Sequence, residues 1–211
     1  MKMLKILADQ FRFSNSIRRP SFIGKLKLRA KYNCYISLKA KVYKYKKIEL
    51  AENVFIHENV LLNYNCYLDD ESISIKIGKK TKIMPFVILQ TIESFIRIGN
   101  NCTIHPYSVL IGGSGGKGIE IGNGVRIAAG CSIVSANHRF PEPDTEIYLQ
   151  GIVSKGIKIC DNVWIGANVK ILDGVYIGAG AIIGAGSVVT RSIDELSIAY
   201  GVPAKVVKRR E

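Results

Sequence analysis

Long apolar runs are missing from this 211-residue chain: its apolar stretches are short and broken by Gly, Lys or Asp. A membrane-spanning helix needs roughly 20 apolar residues in succession, so none is expected. The first twenty residues, MKMLKILADQFRFSNSIRRP, alternate apolar and charged positions and lack the uninterrupted apolar core of a secretory leader. The expectation is a cytoplasmic protein, at most lying on the inner face of the membrane. Cysteine is also scarce. Positions 34, 66, 102, 131 and 160 make an odd count with no CxxC pair, so neither a disulfide framework nor a zinc knuckle is expected, and the thiols read as free and structural.

Acidic residues are the other shortage, 17 Asp and Glu against 30 Lys and Arg, and the imbalance is local. Residues 1–50 hold 14 basic residues against Asp9 and Glu49, a net +12 of the formal +13, while the remainder is nearly neutral. A cationic end of this kind suits an acidic glycan or a phospholipid surface. Nucleic acid is not expected, because no helix-turn-helix, RNP or zinc-finger pattern accompanies the charge.

What the sequence has in abundance is a period. From Ile159 it reads ICDNVW IGANVK ILDGVY IGAGAI IGAGSV VTRSID, six consecutive hexads that each open on an aliphatic residue and mostly carry Ala, Val or Ser at the fifth position. The same frame runs through LAENVF IHENVL LNYNCY from Leu50, IGKKTK IMPFVI from Ile77, IGNNCT IHPYSV from Ile98 and IGNGVR IAAGCS IVSANH from Ile121. Stepping back by six from Leu50 meets Leu38, Tyr32 and Leu26, with Val42, Ile36 and Ala30 at fifth positions. A period of six is neither the 3.6 of an amphipathic helix nor the 2 of a half-buried hairpin. It fits a short strand and a tight turn repeated, three to a coil, with the first and fifth side chains inward and Gly or Asn supplying positive φ at the turns. The expected fold class is therefore all-β: a left-handed parallel β-helix of hexapeptide repeats.

The frame slips by nine residues from Leu68 to Ile77 and from Leu89 to Ile98, by eleven from Leu110 to Ile121, and by twenty-six from Ile133 to Ile159. The last is an excursion over 139–156, too long for a turn. His138 is the sixth residue of IVSANH, so it faces outward at the root of that loop, and the break follows it. An imidazole there can take a proton at neutral pH. His57 and His105 occupy second positions beside turns and read as structural. Cys131 holds an inward fifth position and reads as a small apolar filler. GGSGGKG at 112–118 lacks the GK[ST] ending of a phosphate loop and reads as an insertion at a coil corner.

These motifs, IGNGVRIAAGCSIVSANHRF and GVPAKVVKRR above all, resemble the hexapeptide-repeat acyltransferases, in particular the branch of maltose, galactoside and polysaccharide O-acetyltransferases. The resemblance implies a homotrimer that uses acetyl-CoA as acyl donor, with no metal. It implies His138 as general base, with Glu142, Asp144 or Glu146 of the loop, or a backbone carbonyl, available to orient it. Trp164 in VWIG, Glu142, Asp144 and Ser108 are the implied acceptor contacts. Ser108 stands where an asparagine of the relatives is expected. Ala167, Ala185, Thr190, Lys205 and Lys208 are the implied coenzyme A contacts.

The expected organisation is a basic segment over 1–25, the β-helix over 26–194 and a short C-terminal helix or tail over 195–211. The expected activity is O-acetylation of a hydroxyl on a cell-surface glycan or its precursor, acidic or lipid-linked, with peripheral membrane association through the basic N-terminus. The alternative is N-acetylation of an amino group on a nucleotide-linked sugar. A zinc enzyme of the γ-carbonic anhydrase type is disfavoured, because the three histidines lie 48 and 33 residues apart and no close pair is present.

Overall fold

The structure, a computed structural model, describes residues 20–65 and 74–211. Cys66, Leu68 and the basic residues of segment 1–19 lie outside the described residues.

Strands of two to five residues follow one another round tight corners and sort into three parallel sheets, each strand pairing with the one a full turn later. The result is a left-handed β-helix of seven coils, a three-sided prism. Its first face starts at Tyr35–Ile36 and passes through Thr103–Ile104, Arg126–Ile127 and Trp164–Ile165. Its second face runs from Lys41–Val42 to Val188–Val189, and its third from Ile48–Leu50 to Tyr176–Ile177.

The hexad rule is visible in the core. Ile56, Ile83, Ile104, Ile127, Ile165 and Ile183 stack in register up the first face, all buried. Fifth-position Val54, Val60, Val87, Val125, Val163 and Val169 fill the corners between them. Compact side chains suit those positions because two faces meet there, and tight packing of such a column makes each methylene count. Between third and first faces the turns are stitched vertically: Asn100 Oδ1 accepts from Lys79 N (2.8 Å), Asn123 Oδ1 from Asn100 N (2.9 Å) and Asp161 Oδ1 from Asn123 N (2.7 Å). Gly99 precedes one of these turns because a Cβ there would meet Gly122 O at 2.5 Å.

Two ends of the chain differ from the sequence expectation. Residues Phe22–Tyr32, taken by the backward extension of the frame as hexads, form an α-helix. Ser21 caps it by accepting from Gly24 N (2.8 Å), Arg29 and Lys31 occupy its last turn, and Asn33 ends it in the left-handed conformation. The helix closes the open end of the prism: Leu28 enters the core, and the buried Lys25 ammonium donates to the carbonyls of Leu38 and Ala40. Burial, then the neighbouring Arg29, push that ammonium below its ordinary pKa. The coils thus begin at Tyr35. Ile36 and Val42 are first positions paired with Ile56 and Leu62, not fifth positions. The expected C-terminal helix is also absent: Ser197–Gly201 and Ala204–Arg209 form an antiparallel strand pair on the first face, turning at Val202–Pro203. The β-branched pair in AKVVKRR favours strand over helix there.

The extra residues at 43–47, 93–95, 113–118 and 135–156 all leave the prism at one corner, between second and third faces. Among the described residues, the slips after Leu89, Leu110 and Ile133 are therefore one vertical row of loops.

Replacing Ile104 with Ala should cost about 2–5 kcal/mol by removing a fully buried rung. Lys82→Ala, exposed on the same face, should change stability by less than about 0.5 kcal/mol. Urea unfolding with unchanged m-values checks both.

Candidate active site

The longest loop is rooted by short strands and by its neighbours in the row. Asn137–His138 pairs antiparallel with Ile152–Val153, and Arg139 N donates to Gly151 O (3.0 Å), so His138 stands exposed on a fixed two-residue strand. The hexad IVSANH ends earlier than its letters suggest. Ser135 turns inward and is buried, while Asn137, at the nominal inward fifth position, is exposed and donates through Nδ2 to Asp173 Oδ2 (3.1 Å). Asp173 also accepts from Lys155 N and Gly156 N, each at 2.9 Å, and so holds both strands of the root. Nothing in its hexad singles Asp173 out, since the same third position is also acidic at Glu52, Glu58 and Asp161.

The glycine run belongs to this root. Ser114 N donates to Ser154 Oγ (3.0 Å), Gly113 N to Ser135 Oγ (3.2 Å), and Ile157 N to Gly118 O (3.0 Å). A Cβ on Gly113 would lie 1.7 Å from Ser154 Oγ and 1.9 Å from Ser135 O. Glycine there lets two loops touch; this is the corner insertion expected from the sequence. Farther out, Gln150 staples the loop to itself, accepting from Glu142 N (3.1 Å) and donating to Glu142 O (2.9 Å) and Thr145 O (2.8 Å). Glu142, Asp144 and Glu146 are exposed on it. Among the described residues none of the three carboxylates hydrogen-bonds His138.

The other expected site residues divide between two sides of the prism. Trp164 projects from the first face, 55% exposed, between Arg126 and Ile182 in the ladder. Lys205 and Lys208 lie on the last strand of that same sheet, opposite Tyr200 and Ile198. Ala167 and Ala185 sit one coil apart at the corner between first and second faces, where Gly186 N donates to Ala167 O (2.8 Å). Thr190 is exposed just beyond the end of the second face, on the same side as the loop row. A three-sided prism puts the corner between two faces opposite the third, so His138 leaves the molecule on the side away from Trp164.

Ser108 does not face solvent. It is fully buried, with Oγ donating to Ala128 O (3.1 Å) and accepting from Cys131 N (3.3 Å), which corrects its assignment as an acceptor contact. Cys131 is inward as expected. Desolvation holds its thiol above the ordinary range, and Sγ donates to Gly166 O (3.1 Å), so it is no thiolate nucleophile. His57 and His105 both stand at the corner between first and second faces, two coils apart and across the prism from His138.

A groove of about 680 Å³ runs along the third face over Lys76, Arg97, Glu120 and Lys158. Its charges are largely paired between coils, Lys76 with Glu49 (2.7 Å) and Arg97 with Glu120 (3.5 Å), and it lies away from His138.

Comparison with known proteins follows the same repeats. Residues 156–191 match the bacterial transferase hexapeptide family (six repeats), and residues 108–135 match the hexapeptide repeat of succinyl-transferase. A protein of Mycobacterium tuberculosis named as a probable acetyltransferase is 33% identical over 141 residues, covering 67% of this chain and 46% of its own. An Escherichia coli protein named for O-acetyl transfer in lipopolysaccharide biosynthesis is 27% identical over 168 residues, covering 76% and 84%. Among solved structures, a mutant of AntD, an N-acyltransferase from Bacillus cereus in complex with dTDP and coenzyme A, superposes with a TM-score of 0.62. It is 27% identical over 77% of this chain and 84% of that one. The chain spans about half the length of the first curated relatives it matches.

Gly113→Ala should cost about 2 kcal/mol, because one of the two atoms it strikes is backbone. Limited proteolysis should then cut within 139–156 while the coils stay resistant; an uncut loop would contradict this account of the glycine.

Proposed function

The chain belongs to the hexapeptide-repeat transferases, and we propose that it transfers an acetyl group from acetyl-CoA to a hydroxyl of a cell-surface glycan or of its precursor. The observation that carries this reading is an exposed histidine, His138, fixed on a two-residue strand at the root of the longest loop. In this mechanism His138 removes the proton of the attacking hydroxyl, the new oxygen–carbonyl bond forms as the carbon–sulfur bond breaks, and the proton is returned to the thiolate. An imidazole nitrogen can take up a proton and give it back, as both transfers require. Glu142 or Asp144 of the loop contacts the acceptor, and Trp164 covers one side of the site.

Coenzyme A fits what the first-face side offers. The corner at Ala167 and Ala185 is smooth enough for a pantetheine arm, and Lys205 and Lys208 supply cations for its phosphates. These groups and His138 lie on opposite sides of one prism, so a single copy holds two half-sites. A homotrimer, in which one copy's loop row meets the next copy's first-face side, closes them. Thr190, on the loop-row side, then joins the donor site from the partner.

A second reading, acyl transfer to an amino group of a nucleotide-linked sugar, is favoured by the similarity to the N-acyltransferase AntD. Mass spectrometry of acceptors after incubation with acetyl-CoA separates the two, since the added mass resides on oxygen in one case and nitrogen in the other. His138→Ala should leave folding and assembly intact and lower transfer roughly 10²-fold or more. Near wild-type turnover would remove His138 from the mechanism.

The basic end supports a peripheral membrane contact. Nine Lys or Arg and no acidic residue fall between residues 20 and 48, and the capping helix exposes Phe22, Ile23 and Leu26. No helix of the described residues is long and apolar enough to cross a membrane. Co-sedimentation with phosphatidylglycerol vesicles at low salt should exceed that with phosphatidylcholine severalfold and fall for a Phe22→Ser, Ile23→Ser, Leu26→Ser variant. Equal sedimentation with both lipids would sink the idea.

A further inference from the structure

The corner between first and second faces carries a feature that no role above uses. Its turns each need one residue in the left-handed conformation, and six successive coils fill that place with Asn59, Phe86, Tyr107, Gly130, Asn168 and Gly186. Asn and Gly are what such a turn favours; Phe86 at φ 63° and Tyr107 at φ 62° are not. Nor are these rings buried in the core, being 42% and 65% exposed. They stack on each other with centroids 5.1 Å apart and planes 9° apart.

The stack covers one face of Tyr107. Its other face looks along the corner to Gly130, one coil on, which has no side chain to lay against it. One coil farther, the Asn168 carboxamide leans back over that gap: a Cβ on Gly130 would meet its Oδ1 at 2.3 Å. Among the described residues that carboxamide has no hydrogen-bond partner. The result is a slot with an aromatic wall, a glycine floor and an amide at the far edge. Because the Asn168 amide oxygen comes back to the level of Gly130, the space over the Tyr107 ring is one strand spacing, roughly 4.8 Å, with the amide beside it.

We propose that this slot is an acceptor subsite that takes a pyranose ring, its C–H face on Tyr107 and its hydroxyls on Asn168. The π face is the negative side of an aromatic ring and attracts the weakly positive C–H edges of a sugar. A carboxamide both donates and accepts, as a vicinal diol requires. The corner is electrically neutral: His105-Pro106-Tyr107 and Ala128-Ala129-Gly130 include no Lys or Arg, which disfavours a nucleotide's diphosphate. The slot is continuous with Ala167 and Ala185, so a sugar there adjoins the proposed donor groove. Phe86 is a positioning residue, holding the Tyr107 ring edge-out.

As an acceptor subsite the inference rests on the acyl-transfer reading; sugar binding itself is tested separately. Saturation-transfer NMR on the full chain would use methyl β-D-glucopyranoside, methyl β-D-galactopyranoside and methyl 2-acetamido-2-deoxy-β-D-glucopyranoside. Sorbitol, which has no ring, and dTDP serve as comparisons. At least one glycoside should show transfer that Tyr107→Asn abolishes and Tyr107→Phe retains. Asn already fills this turn in two other coils, so Tyr107→Asn should keep the melting temperature, making lost folding a poor explanation for lost binding. In acyl transfer, Tyr107→Asn should raise the acceptor KM roughly tenfold and leave that for acetyl-CoA unchanged. Glycoside binding through Tyr107 without acyl transfer would uphold the slot and refute the activity. Acyl transfer with an unaltered acceptor KM in Tyr107→Asn would refute the slot and uphold the activity. Binding of dTDP lost in Tyr107→Asn, or a changed oligomeric mass in that variant, would assign the rings to a nucleotide or to a subunit contact and overturn the proposal.

Discussion

Everything in this molecule depends on the vertical register of inward side chains from one coil to the next. Each rung is too short to be stable alone; it gains a core only by laying its aliphatic residue on the one below and closing a ladder of parallel hydrogen bonds. A residue inserted within a rung would exchange inward and outward side chains for the remainder of that face. Additions are therefore tolerated only where the chain is already turning. In this protein they collect at one corner, with the insertions at 113–118 and 135–156 leaning on each other through Ser114, Ser135 and Ser154. The same constraint that makes the prism monotonous concentrates its variable chemistry into a single row.

The prism also separates what it carries. A loop row on one corner and a smooth corner beside the opposite face cannot approach each other in one copy, because the packed aliphatic core of the prism lies between them. Rigidity makes this permanent: interiors packed at native density do not bend to bring two sides together. The proposed base on its fixed strand and the proposed donor groove on its fixed wall need no motion of their own if a second prism is set against the first, and their geometry is then as exact as the interface. This is the physical case for an assembly with sites between copies.

Much of this was legible in the sequence because the period is a direct image of the core. Ile104 and Val169 could be named as buried from spacing alone, and both are. His138 could be placed at a loop root by the same counting. The errors come from segments in which something other than the period decides. Leu26 and Tyr32 fell on the frame by coincidence, while Ser21 and Asn33, a helix cap at each end, carried the real signal. Ser108 was matched to an expected asparagine by its neighbourhood, although its fifth position already placed it inward. Asn137 occupies an inward position in the letters, but the row of loops pulls the chain off the prism at Ser135 and Asp173 holds it there. No one-dimensional count contains Asp173, whose three partners come from both strands of a loop root.

The division of charge follows the same geometry. Cations gather at the capped N-terminal end and on the last strand, whereas the corner from His105 to Gly130 is neutral apart from the histidine itself. Exposed charges in water act over about 10 Å at moderate ionic strength, less than the height of a few coils. On the readings proposed above, the basic end draws an anionic surface or polymer to one pole without influencing which ring settles in the slot beside Tyr107. Attraction and selection are assigned to different heights of the prism. Because each coil contributes its outward side chains independently of the core, either property can change by substitution in its own rung while the register beneath both is conserved in the physical sense: every inward residue still lies on the next.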